Sequence, residues 1–164
     1  IRRGIMKNRK RGFSLVELLI VLAVIAALIA TITPVALNAI SKSKATQVAQ
    51  NLKTLASAIE NAAYVNGLDS NTGLIKDVST IDSLGRDIDD KNYAVYYTGT
   101  NGRYTATVVF QGDGDITMIQ SALENAATGT FAAAAVGNAL EGTGWTDPAN
   151  TDEVIYYRIE FDVY

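Results

Sequence analysis

Glu17 is the only charge in a run of 25 residues, Phe13 to Leu37 (FSLVELLIVLAVIAALIATITPVAL). A carboxylate in that setting has to be satisfied, because an acid at the centre of a membrane helix costs ~2.5–3.5 kcal/mol, less near the interface. Ser14-Leu15-Val16-Glu17 fits the S-x-x-E capping box, in which the acid takes amide protons at a helix start. A second acidic motif is Gly112-Asp113-Gly114-Asp115. Asp113, Asp115, Thr117 and Glu124 fall at positions 1, 3, 5 and 12 of a calcium-loop count, but Met118 stands where the loop needs glycine and Gln120 where an apolar residue is usual. Asp115 as a helix N-cap, with Asp113 near the positive helix end, explains the same residues. The chain has no cysteine and no histidine. Disulfides, thiolate-bound zinc, cysteine nucleophiles and the usual neutral-pH general base are therefore excluded. No nucleophile–base pair, metal spacing or phosphate loop appears, so the expectation is a non-enzyme with no cofactor.

Charge is divided along the chain. Six of the 14 basic residues (Arg2, Arg3, Lys7, Arg9, Lys10, Arg11) precede Gly12, and all 17 acidic residues follow it. Beyond Gly12 the chain carries 8 basic and 17 acidic side chains, a net charge of −9. A surface of that sign argues against general nucleic-acid binding, where affinity comes largely from Lys and Arg, and suits solubility outside the cell. Met6 offers a start, which would make the leader Met6–Gly12 and leave Ile1–Ile5 outside the native product.

The segment 13–37 is long enough to cross a membrane, since roughly 20 apolar residues at 1.5 Å each span the ~30 Å hydrocarbon core. The basic residues ahead of it favour the cytoplasmic side, which puts the C-terminal part outside. A cleaved secretory signal would be shorter and followed by a small-x-small site. A plain signal anchor has the right length but leaves Glu17 without a purpose beyond the cap.

Taken together, the basic leader, Gly12-Phe13-Ser14-Leu15-Val16-Glu17, the apolar run and Pro34, 21 residues after Phe13, resemble the class III signal of type IV prepilins and of type II secretion pseudopilins. The resemblance covers Met6 to about Asn66. It implies that a membrane prepilin peptidase cuts between Gly12 and Phe13 and methylates the new Phe13 amine. It implies further that an assembly ATPase and a membrane platform build the chain into a helical homo-oligomer. Gly12 suits a protease that draws bare backbone into its site. Glu17 then becomes the partner of a neighbouring subunit's Phe13 amine, a register device as well as a cap. Pro34 either kinks or locally melts the helix for assembly or marks a bend at the membrane edge. The implied function is a pilus filament subunit, with adhesion, twitching or DNA uptake as outputs. The alternatives are a pseudopilin of secretion or competence, and an anchored binding module.

The elements that position these residues follow from periodicity. Val48, Leu52, Leu55, Ile59 and Ala62 make one stripe of an amphipathic helix, and Asn66-Gly67 stops it. The expected domains are a leader at 1–12, an apolar helix half at 13–37, an amphipathic half at 38–66 and a head at 67–164. A helix over Phe13–Asn66 would reach roughly 80 Å, more than the head can cover, so lipid or further copies must sheathe the rest. Leu74, Val78, Ile81 and Ile88 predict a short helix on the core. Tyr93–Thr98 and Arg103–Phe110 read as a hairpin about Gly99-Thr100-Asn101-Gly102. Ile116, Ile119, Leu123 and Ala127 predict another short helix; Phe131–Leu140 stays ambiguous. Ile155, Tyr157, Ile159, Phe161 and Val163 alternate as a final strand. Most of the eight tyrosines fall in strand-like segments and read as sheet packing. The fold class is α+β: a long helix, protruding in its apolar half and packed in its amphipathic half, on an antiparallel sheet. Relatives of that family often close the C-terminal region with a disulfide, which this chain cannot do.

Overall fold

The computed structural model describes residues 12–85, 87–133 and 136–164. Helix α1 runs from Leu15 to Asn66. The chain divides into two compact units at the Ala39–Ile40 peptide. In the first unit every described residue of the helix is exposed. The assigned helix passes through Pro34 without interruption, so the local melting that proline could cause is not present. Thr31 and Thr33 fold their hydroxyls back to the carbonyls of Leu28 (2.9 Å) and Ile29 (2.7 Å), which leaves neither side chain seeking a partner in an apolar setting.

The second unit is built on the other half of the same helix. Val48, Leu52, Leu55 and Ile59 are buried, as the stripe predicts, with Ala45, Ala49, Ala56 and Ala63 beside them. Ala62, predicted in the stripe, is only half-buried, and Ala63 takes the inward position. Small alanines between larger side chains let the helix lie close on the sheet. The helix ends at Asn66, where Gly67 adopts φ +73° and its amide returns to the Ala63 carbonyl at 3.2 Å.

Five antiparallel strands form one sheet: β1 (Tyr93–Thr100), β2 (Arg103–Phe110), β3 (Ala127–Thr130), β4 (Asn138–Leu140) and β5 (Glu153–Asp162), in the order β3-β5-β2-β1-β4. The hairpin is tighter than the strand limits read from sequence. Thr100 pairs with Arg103, leaving Asn101-Gly102 as a two-residue turn with φ +55° and +85°. That is the left-handed pair for which Asn-Gly is preferred. Alternation divides the sheet residues cleanly. Tyr93, Val95, Tyr97, Tyr104, Ala106, Val108, Phe110, Ile155 and Phe161 share a core with α1. Ala94, Tyr96, Val109 and Val154 face the other way, into a second core with Phe131 and Trp145.

Two expectations are corrected, and one open segment is resolved. The helix predicted across Leu74–Ile88 shrinks to a 3-10 turn, Ile81–Leu84, because Ile75, Val78 and Ile81 reach the core from an irregular loop that tyrosine hydroxyls hold down. Tyr104 donates to the Gly73 carbonyl at 2.8 Å, and Tyr97 accepts from the Ile75 amide at 3.3 Å. Ala127 does not belong to a helix. Helix α2 spans Ile116–Ala122 and closes at Leu123, and Ala127 opens an edge strand paired to Tyr156. The ambiguous 131–140 segment ends in β4.

Candidate processing and assembly site

The basic leader lies outside the described residues, apart from Gly12. Gly12 is exposed, and a Cβ built on it would meet nothing within 4 Å. Phe13 is 88% exposed. Both precede the helix, which starts at Leu15. The Gly12–Phe13 peptide is therefore free of the i→i−4 ladder and open to solvent, as a peptide bond must be to be drawn extended into a protease.

Ser14 and Glu17 make the box their spacing predicts. The Ser14 amide donates to Glu17 Oε2 at 3.2 Å, and the Glu17 amide donates to Ser14 Oγ at 3.2 Å. Two amides of the first turn, which have no intrahelical acceptor, are satisfied reciprocally. This has a chemical consequence. Glu17 Oε2 is held back over the chain start, at the residue immediately after Phe13.

Pro34 is exposed in the continuous helix of the first unit. The threonines flanking Ile32, which hold the helix hydroxyls closed just before it, were not singled out from the sequence. The Thr-x-Thr-Pro order was the available signal.

Asp115 is the N-cap of α2, its Oδ1 accepting from the Thr117 amide (2.9 Å) and the Met118 amide (3.3 Å). Asp113 stands on the rim of a groove of about 510 Å³ beside α1, with Lys44, Asn51, Asp87 and Tyr93. Asn51 there is already committed to the Tyr93 hydroxyl, at 3.2 Å. Among the described residues no three side chains of the His, Cys, Asp or Glu types gather as metal ligands would. Other carboxylates serve turns: bonds from the Thr72 amide, the Asn71 amide and the Thr72 hydroxyl hold the Asp69 carboxyl below the usual range, and Asn92 does the same for Asp89.

Comparison with curated proteins and with solved structures gave no match. Residues 7–33 match the family model described as the prokaryotic N-terminal methylation motif. That stretch holds Gly12, Phe13, the capping box and most of the apolar helix of the first unit. The chain thus carries at 7–33 the methylation motif, the class III signal found in type IV pilins and pseudopilins, and its long helix and five-stranded antiparallel sheet make an α+β arrangement like the type IV pilin fold.

Proposed function

We propose that the chain is the precursor of a type IV pilus filament subunit. It inserts in the cytoplasmic membrane through residues 13–37, with the leader inside and the head outside. A prepilin peptidase cuts between Gly12 and Phe13 and methylates the Phe13 amine. The assembly ATPase and platform then transfer the subunit to a surface filament, where apolar helix halves pack together and Glu17 meets a neighbour's Phe13 amine. The four stretches 1–12, 13–37, 38–66 and 67–164 correspond to leader, filament core, linking helix and displayed head.

One observation carries this reading: the methylation motif runs into a capped helix whose first unit is apolar on every face and exposed at every described residue. Exposed apolar surface of that extent marks an interface with lipid or protein. In a membrane the helix satisfies its own backbone, and in a filament its neighbours replace the lipid. Mass spectrometry of the protein from its native membrane tests the processing step. The mature chain should begin at N-methylated Phe13, and Gly12→Arg should accumulate with its leader attached. A first residue between Ala30 and Ala39 would convert the chain into an ordinary secreted protein. Abundance in sheared surface filaments separates a major pilin from a pseudopilin, which would stay with the cell envelope.

A further inference from the structure

Residues 141–152 connect β4, at one edge of the sheet beside β1, to β5 beyond β2, and the packing of Trp145 against Ala94, Tyr96, Val109 and Val154 places them on the face opposite α1. This return limb makes no ladder with the sheet. Its hold is concentrated at Trp145, the only tryptophan in the chain. The indole is buried in the second core with Ala94 and Tyr96 of β1, Val109 of β2 and Val154 of β5. Its Nε1 donates to the Tyr96 hydroxyl at 2.9 Å and to Asp147 Oδ1 at 3.2 Å, while Tyr96 donates to the same carboxylate oxygen at 2.5 Å. Three groups from two distant stretches thus close a triangle with every donor engaged. Burial, and then Asp147, push the Tyr96 phenol far above its ordinary range, so it remains the proton donor.

The rest of the limb is held more lightly, with Pro148 also buried and the Ile81 amide donating to the Glu141 carbonyl at 3.4 Å. Gln111 Nε2 donates to the Thr146 carbonyl at 2.9 Å, and Thr143 donates to Asp90 at 3.3 Å. Gly142 lies so close to Asp90 that a Cβ on it would fall 2.1 Å from the Asp90 Cβ and 2.6 Å from its carbonyl oxygen. The limb therefore rests on the 89–91 turn by bare backbone.

We propose that Trp145, Tyr96 and Asp147 form a latch, and that the return limb 141–152 opens as a unit when it lets go, ahead of the sheet beneath. A disulfide is impossible in a chain without cysteine. The latch closes the limb reversibly, with few bonds apart from it to resist opening. Segments held by few buried contacts open sub-globally while paired strands stay closed. Opening would uncover Trp145 together with the apolar face formed by Ala94, Val109 and Val154. The inference concerns the second unit alone and stands whether or not the chain forms filaments.

Hydrogen exchange on the full chain in detergent micelles, read by mass spectrometry, tests it beside acrylamide quenching of Trp145. Peptides within 141–152 should exchange well before those of β1, β2 and β5. Tyr96→Phe keeps the ring that packs on Phe131 (centroids 4.9 Å apart) and removes only the hydroxyl. It should speed exchange of the limb by about tenfold and raise quenching, with sheet peptides unchanged. Asp147→Asn should act in the same direction with no change in the core. Limb and sheet that exchange together in the wild-type chain would overturn the proposal. So would an early-opening limb that neither variant accelerates.

Discussion

Leu15–Ala39 and Ala45–Ala63 lie in one helix, yet the first stretch is exposed throughout while the second buries eight side chains. Apolar content alone does not separate them. Periodicity does. Val48, Leu52, Leu55 and Ile59 advance by alternating steps of four and three residues, so polar groups keep the remaining faces and a single sheet completes the burial. Residues 18–30 give no such steps, because apolar residues occupy every angle. A helix of that kind is completed only by a surround, whether lipid or other helices. The head is therefore stabilised by its own chain, whereas the first unit has its energetic environment supplied from outside.

The largest expected effect tests the outward-looking half. Glu17→Gln keeps shape and most of the cap but removes the negative charge. If a neighbour's Phe13 amine is the partner in the filament, each subunit loses about 3–5 kcal/mol through a buried cation left unpaired. The loss repeats along an open helical assembly. Filament yield by electron microscopy should collapse while processed-subunit abundance by immunoblot stays near normal. Wild-type filament numbers would mean the capping box accounts for Glu17 by itself.

Next in size is a pair of truncations, one in each half. Leu52→Ala or Ile59→Ala opens a cavity at a side chain that is 0% exposed, and should destabilise the head by about 2–5 kcal/mol. Leu22→Ala, at an exposed position of the first unit, should leave the thermal midpoint of the head unchanged. Calorimetry of the three variants in the same detergent decides the matter. A comparable drop from Leu22→Ala would show that the two halves do not draw their stability separately.

The cap residues repeat the contrast on a smaller scale. Asp115→Ala strips two amides of their acceptor at the start of α2, whose Ile119 is fully buried, and should cost the head about 1 kcal/mol. Ser14→Ala removes a bond of similar geometry at 3.2 Å, but only the exposed first turn of α1 should fray. The head midpoint should fall for the first variant and stand still for the second.

What the sequence made legible is local. The Ser14–Glu17 box, the Asn101-Gly102 turn, the Asp115 cap and the stop at Gly67 each involve neighbours a few residues apart, where side-chain chemistry and backbone geometry decide the outcome together. The strip of α1 and the alternation of β5 were legible for the same reason. The second core was not. Tyr96 and Trp145 are 49 residues apart, and their meeting depends on β4 joining β1 at one edge while β3 joins β5 at the other. No period in 131–152 encodes that crossing. The edge strands β3 and β4, four and three residues long, are too short to show an alternation. The tyrosines read from sequence as sheet packing, and Tyr93, Tyr96, Tyr97 and Tyr104 are buried in strands, but their hydroxyls also tie the helix and loops to the sheet.

The smallest expected effect is electrostatic and belongs to the head, since Glu17 is the only titratable side chain between Phe13 and Ala39. Glu141 opens the return limb, where burial and then the nearby Asp147 carboxylate raise its affinity for a proton above that of an ordinary carboxyl. Tyr96 and Asp147 are its facing titratable partners, with Asp90 and Lys91 in the adjoining turn. A carboxyl whose value is raised in the closed state favours closure when protonated. That contribution is complete below the ordinary carboxyl range and is lost as pH rises through the raised value. Asp69 and Asp89, held below the usual range, act oppositely: their contribution is present above the ordinary value and lost as pH falls. Global stability mixes the two signs, so the local signal has to be read at Trp145. Acrylamide quenching of the indole should increase modestly as pH rises above the ordinary carboxyl range, because Glu141 is largely solvent-screened. Glu141→Gln should flatten that rise, and it should do so without altering processing at Phe13 or the exposure of the first unit. A quenching profile that keeps its slope in Glu141→Gln would remove the carboxylate pair from the control of the limb and leave its opening to the Trp145 contacts and the lighter bonds beside them.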